Sequence, residues 1–252
     1  MNSLKKLSKR VRPLLGTFVE VTLFGDEDYS SIITKAFERA GELEKIFNCH
    51  DPESEISLCN KSSDPLNYKK SKALAFVLQE SFEIFRISKG AFSPYSANST
   101  SLDLNGLSKG FIVDQMVETI LNDNPAHQGL VNAGGDLRYF NCTNRTVDIR
   151  LNSIGTRRIT IHKNAIATSS LNTATNDKHS STEYSKQLRS GLTPDHTVSV
   201  LAHNCMLADA LTKVALFAGF EVLQKCAMVF KADILVFDAH GELKEMFKDH
   251  ES

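Results

Sequence analysis

Two hydrophobic periods alternate along the chain, and their order predicts an α+β fold. Over Leu14–Phe24, Phe18, Glu20 and Thr22 face one way and Val19, Val21 and Leu23 the other, which reads as a half-buried strand with Gly16 at its start. From about Ser30 to Phe47 the period becomes helical, with Ile33, Phe37, Ala40, Leu43 and Phe47 on one stripe. A polar loop, His50–Asn60, follows. Leu74, Val77, Leu78, Phe82 and Phe85 mark a second helix over Ser71–Lys89, closed by Gly90. Phe111, Val113, Met116, Val117, Ile120 and Leu121 predict a third helix that opens near Leu107 and ends at Asn124-Pro125. Gly129–Asn132 reads as a buried strand, and short strands follow at Val147–Leu151, Ile159–Ile161 and Ala165–Thr168. Successive strands with short links imply antiparallel pairing. Residues 169–193 lack periodicity and form a long polar loop. A strand at Thr197–Ala202, helices at Met206–Gly219 and Glu221–Phe230, and a closing strand at Ile234–Phe237 precede a polar tail.

Composition narrows the function classes. The chain has 252 residues, 41% hydrophobic and 23% charged, as ordinary globular proteins do. A formal net charge of -1 gives no reason to expect a nucleic acid or an anionic membrane as partner. The basic N-terminus has no apolar signal-peptide core, and no run of about 20 apolar residues exists, so no membrane span is expected. Five scattered cysteines without a C-x-x-C pair fit reduced thiols and a cytoplasmic setting.

Two segments carry the candidate chemistry. Leu102–Asp114, LDLNGLSKGFIVD, puts an acid, a small-residue turn and a Lys-Gly pair in front of the third helix. Unpaired N–H groups and the helix dipole make such a turn a natural anion site, although most glycine turns before helices are only turns. Leu130–Arg138, LVNAGGDLR, is an apolar run broken by Gly134-Gly135 and closed by Asp136, where backbone can approach a ligand closely. Asp209 sits in the first turns of its helix, a place that also suits plain dipole stabilisation.

Taken in order, RPLLGTFVEVTL, the SEISLCN stretch ending at Asn60, GAFSP, DLNGLSKGFIVD, LVNAGGDLR, AIATSS and SVLAHNCMLADALTKVALFAG resemble the ApbE family, the FAD:protein FMN transferases. The resemblance runs from Arg12 to Gly219. It implies a single compact body over residues 1–252, with ApbE-like (T-fold-like) antiparallel sheets and packed helices. It also implies a reaction in which FAD, bound with Mg²⁺, gives its FMN moiety to a Thr or Ser hydroxyl of an acceptor flavoprotein, and AMP leaves. Such chemistry rests on positioning, charge neutralisation and activation of a hydroxyl. By similarity, the Gly106 carbonyl and the Asp209 carboxylate match metal-ligand positions. Asp103 and Lys109 match flavin-nucleotide contacts, as do Ala91, Phe92, Ser93, Asn60 and Leu15. The turn of Gly134, Gly135 and Asp136 would lie against the cofactor.

The chain departs from the family pattern at three places. Where the family has H-x-x-D-P-x-T-G, Tyr184 replaces His, Gln187 replaces Asp and Leu188 replaces Pro. Tyr184, flanked by His179 and His196, is then expected on the acceptor side and joins Asp209 as a catalytic candidate. In the metal-binding helix, A-D-A-L-x-T, Lys213 takes the Thr position and Thr212 comes one place early, about 100° round the helix. An ammonium there would neutralise phosphate in place of part of the metal, repel the metal, or snorkel outward. Ser93 and Tyr95 stand where the family has Asp and Thr, and Ser170 where it has Gly. The resemblance therefore implies a Mg²⁺-dependent FAD:protein FMN transferase, and the alternative is a FAD-binding relative that has lost the transfer chemistry.

Overall fold

In a computed structural model of the chain, the described residues are 7–96, 99–143, 145–151, 155–170, 188–189 and 191–248. Their strands are β1 (Leu7–Leu14), β2 (Thr17–Phe24), β3 (Gln128–Ala133), β4 (Asp136–Phe140), β5 (Thr146–Leu151), β6 (Gly155–Thr160), β7 (Ala165–Ser170), β8 (Thr197–Ala202), β9 (Asp233–Phe237) and β10 (Leu243–Phe247). Their helices are α1 (Ser30–Phe47), α2 (Glu55–Lys61), α3 (Lys72–Ile87), α4 (Ser108–Asp123), α5 (Cys205–Phe217) and α6 (Phe220–Phe230). Eight strands join one sheet in the order β1-β2-β3-β4-β7-β8-β9-β10, with every neighbouring pair antiparallel.

The period of two seen in the sequence sorts side chains to the two faces of this sheet. Along β9, Ile234 and Val236 join the main core under the helices, whereas Leu235 and Phe237 join a smaller cluster. That smaller cluster is roofed by Ile149 and Leu151 of the separate β5–β6 ribbon. On the helix side, α4 packs between α1 and α5 and also rests on β3 and β4. Its close approach to α5 depends on Gly110, because a Cβ there would stand 2.4 Å from the Cys205 carbonyl oxygen.

Two tight hairpins turn at the same end of the sheet's strands and prepare the site. Leu15 and Gly16 both take positive φ, 56° and 69°, as the turn between twisted antiparallel strands requires. Gly134 and Gly135 do likewise between β3 and β4. Because β2 pairs with β3, the turns are neighbours: Gly134 N–H donates to the Phe18 carbonyl, and a Cβ on Gly134 would meet Thr17 Oγ1 at 2.5 Å.

Four elements differ from the sequence expectation. Glu55–Lys61 is a helix that overlaps the stretch read as a polar loop and runs one residue past it; Ser54 caps it by accepting the Ser57 N–H, and only Ile56 and Cys59 are buried. Seven residues are too few to display a helical stripe. At the two sheet edges, β1 and β10 carry Lys9, Arg10, Arg12 and Pro13, and Lys244 and Glu245, so they read as basic and polar tails. Charges and proline are what edge strands use to stay unpaired on their outer side. Strand β7 also extends to Ser170, two residues into the stretch read as loop. No helix among the described residues is long and apolar enough to cross a membrane.

Candidate functional site

At the hairpin end of the sheet, two lysine–aspartate pairs meet under the start of α4. Lys109, in the first turn of α4, reaches Asp136 at the head of β4 with Nζ 2.8 Å from Oδ2. Asp209, on α5, is 1% exposed and holds Lys213 Nζ at 2.7 Å through Oδ1. Its second oxygen, Oδ2, accepts the Gly110 N–H at 3.4 Å, which joins α5 back to α4. Burial chiefly, and then the Asp136 charge, push the Asp209 carboxyl up to about 6 despite the two lysines. Asp136, the largest cause, holds the Lys109 ammonium above its ordinary range, against the effect of burial.

A second set of polar groups fixes where α5 begins. Asp114, buried on α4, accepts the N–H groups of Cys205 and Met206, both at 2.8 Å. Asn204 caps the same helix by accepting the Leu207 N–H at 2.9 Å. A carboxylate at a helix N-terminus satisfies orphan donors and opposes the dipole favourably. Arg138 on β4 then binds Asp114 and Glu118, each at 3.0 Å. Burial is the main influence on Asp114 and raises its carboxyl, with Arg138 and the two N–H groups acting the other way. Further along α5, Thr212 donates to the Asp209 carbonyl at 2.7 Å and its hydroxyl lies 2.8 Å from Ser169 Oγ.

The remaining residues singled out in the sequence gather in the loops before α4 and at the hairpin turns. The Asn60 amide bonds both backbone groups of Leu102, as donor to the carbonyl at 2.9 Å and acceptor from the N–H at 2.8 Å. Asp103 follows, donating its own N–H to Pro94 and accepting the Asn105 N–H at 3.0 Å, so Gly106 leaves a closed turn into α4. Ala91, Phe92 and Ser93 lie on the other strand of this loop; Phe92 is buried and Ser93 Oγ accepts the Tyr95 N–H. A recess of about 300 Å³ opens beside them, lined by Ser63, Asp64, Leu66, Tyr95, Thr100 and Leu102 among others. Leu15 donates its N–H to Glu44 at 2.8 Å, which ties the first hairpin turn to α1. Tyr184 lies outside the described residues.

The residues present do not fit a divalent cation as they stand. Asp209 Oδ1 already holds an ammonium, and Thr212 is turned toward Ser169 and its own helix backbone. At about 4 Å and an effective dielectric of about 20, a divalent ion and an ammonium repel by roughly 8 kcal/mol. Among the described residues no group of three or more His, Cys, Asp or Glu is placed to hold a metal. Of the options open to Lys213 in the sequence, the outward one is not taken: its ammonium points inward, onto Asp209.

Sequence reasoning passed over Asp114, Arg138, Asn204 and Ser169. Asp114 had a signal, as a lone acid flanked by Phe111, Ile112, Val113, Met116 and Val117, all buried. Arg138 had a weaker one, two residues beyond Asp136 and so on the same face of β4.

An antiparallel sheet backed by helices, with a buried charge cluster where two glycine hairpins meet a helix N-terminus, defines an α+β protein. The chain belongs to the ApbE family, whose profile matches residues 15–99 and 95–234. Solved structures share the whole fold. A mutant form of the flavin transferase ApbE from Vibrio cholerae superposes with a TM-score of 0.72 at 16% identity, covering 97% of this chain and 98% of its own. The ApbE protein of Thermotoga maritima gives 0.70 at 15% identity, over 95% and 97%. The Pseudomonas stutzeri flavinyl transferase ApbE, in its apo form, gives 0.70 at 13%, over 97% and 94%. A search of curated protein sequences finds no match.

Proposed function

We infer that the chain is a FAD:protein FMN transferase that moves the FMN moiety of FAD to a Thr or Ser hydroxyl of an acceptor flavoprotein. The acceptor oxygen bonds to the FMN phosphorus as the phosphoanhydride P–O bond breaks. The hydroxyl proton passes to a base, and AMP leaves with the bridging oxygen. Family membership supports this reading, as does likeness in fold to proteins described as flavin transferases. The observation that carries it is the pairing of Lys109 with Asp136 and of Lys213 with Asp209, beside the Gly134-Gly135 turn. Two ammonium groups at a helix N-terminus suit a pyrophosphate, and the turn admits it closely. A carboxyl raised to about 6, as at Asp209, lies close to neutral pH and suits the base.

In this reading Asp103, Asn60, Ala91, Phe92, Ser93 and Leu15 frame the flavin nucleotide, and Tyr184 stands on the acceptor side. Magnesium, implied by the resemblance together with Gly106 and Asp209 as its ligands, does not fit here while Lys213 holds the Asp209 carboxylate. All five cysteines are free thiols, which accords with work in the cytoplasm. The second reading, a FAD-binding relative without transfer, is favoured by one observation: Lys213 occupies the Asp209 carboxylate.

The test is incubation with FAD and an acceptor domain bearing the family's target threonine, with and without Mg²⁺. Mass spectrometry follows the FMN adduct, and chromatography follows AMP. An adduct that Asp209→Ala abolishes is the expected result. FAD binding without adduct, across several acceptors and metals, overturns the enzyme and leaves the binder.

A further inference from the structure

Lys213 and Asp209 lie one turn apart on α5, and their contact is enclosed, with side chains 17% and 1% exposed. Exposed lysine–carboxylate pairs at this spacing contribute little and open readily. Here the ammonium also donates to Ser169 Oγ of β7 at 3.4 Å, so it is held between a helix and the sheet. The other Asp209 oxygen takes the Gly110 N–H, and the carboxylate's direct cation contact is with the Lys213 ammonium that the chain itself provides. Lys109 and Asp136 form a matching pair alongside, and the four formal charges cancel. A divalent ion would leave the cluster strongly positive and would have to displace Lys213 first.

We propose that Lys213 is the built-in counter-cation of this site, so that the pyrophosphate of a flavin nucleotide binds here without a divalent metal. This rests on the flavin reading given above. An ammonium is a compact charge with rotatable donors and no octahedral demand, so one group serves carboxylate, hydroxyl and phosphate oxygens alike. Its flexible stem lets it exchange Asp209 for a phosphate oxygen without moving α5.

Two binding measurements test it. Mn²⁺ alone, followed by electron paramagnetic resonance, reports the metal without flavin. The wild type leaves millimolar Mn²⁺ free, whereas Lys213→Thr gains a site that a second change, Asp209→Asn, removes. FAD, followed by fluorescence quenching, reports the nucleotide. Wild-type affinity changes less than about twofold between EDTA and Mg²⁺, while Lys213→Thr binds about tenfold more weakly in EDTA and recovers with Mg²⁺. Lys213→Met keeps the apolar stem and loses the charge; it is weakened in both buffers with an unchanged circular dichroism spectrum. A wild-type Mn²⁺ site lost in Asp209→Asn, or wild-type FAD binding that EDTA abolishes, overturns this proposal alone. No FAD binding by the wild type in either buffer overturns the flavin reading and this proposal together.

Discussion

Arg138 on β4 holds Asp114 on α4 at 3.0 Å, and through that one carboxylate the sheet grips the first turn of α5. Asp114→Ala leaves Arg138, 16% exposed, without its main partner and uncaps two backbone donors. Losing one member of a buried ion pair costs about 3–5 kcal/mol, and the expected loss is of that size. Urea unfolding measures it, and a variant within about 1 kcal/mol of wild type would show that α5 is held by other means.

Gly110→Ala separates helix propensity from packing. Alanine favours a helix interior by about 1 kcal/mol over glycine, so a surface position would gain stability. At Gly110 the new methyl meets backbone, 2.4 Å from the Cys205 carbonyl oxygen and 2.7 Å from the Met206 Cα. Overpacking of this kind costs about 1–3 kcal/mol, and α4 must shift away from Asp209. Thermal unfolding is expected to show a lower midpoint. A raised midpoint refutes the close approach.

The pH dependence of stability carries the signature of Asp209. Its carboxyl titrates near 6 in the folded chain, against about 3.9 for an ordinary aspartate, because of burial and the Asp136 charge. A carboxyl with a raised folded value contributes stability that is fully present below about pH 4 and is lost as pH rises through about 6. Asp209→Asn has no such group. Relative to that variant, the wild type should lose on the order of 2 kcal/mol between pH 4 and 6. Urea midpoints that run parallel across that range count against the raised value.

Thiol reactivity should divide the cysteines by burial. Cys205 is wholly enclosed, and burial first, then Asp114, Asp136 and Asp209, push its thiol well above the usual range. Burial likewise raises Cys226 to about 11 and lifts Cys59. Thiolate is the reactive form, so a raised value means slow alkylation at pH 8. Peptide mass spectrometry after brief iodoacetamide treatment should find label at the half-buried Cys49 and Cys142 and none at Cys205 without denaturant. Early labelling of Cys205 contradicts the packing of α4 on α5.

Strong periodicities gave away most of the fold from sequence. Helices α1 and α3 bury one stripe each, α4 is buried on nearly all sides over its first half, and β8 and β9 bury both faces, so their apolar positions stand out unaided. The edge strands did not, because a strand with one neighbour needs few apolar residues and many charges. At the site, Lys109, Asp136 and Asp209 were legible as residue types in glycine-bounded contexts. The pairing of Lys109 with Asp136 was not, since a sequence gives spacing along one helix but not which strand faces it. Lys213 shows the limit: four positions after Asp209, its spacing allows an inward pair or an outward tail equally.

The neighbour relation of β2 and β3 reaches into how the chain must be made. All of α1 through α4 is synthesised between these two strands, so the apolar face of the first hairpin waits for a partner. Closing so long a loop is slow and leaves hydrophobic surface open in the meantime. The charged cluster draws on α4, β4 and α5 together. The complete cluster therefore forms only once α5 has followed α4 and β4 into place, so an intact set of both pairs marks a chain whose folding is finished.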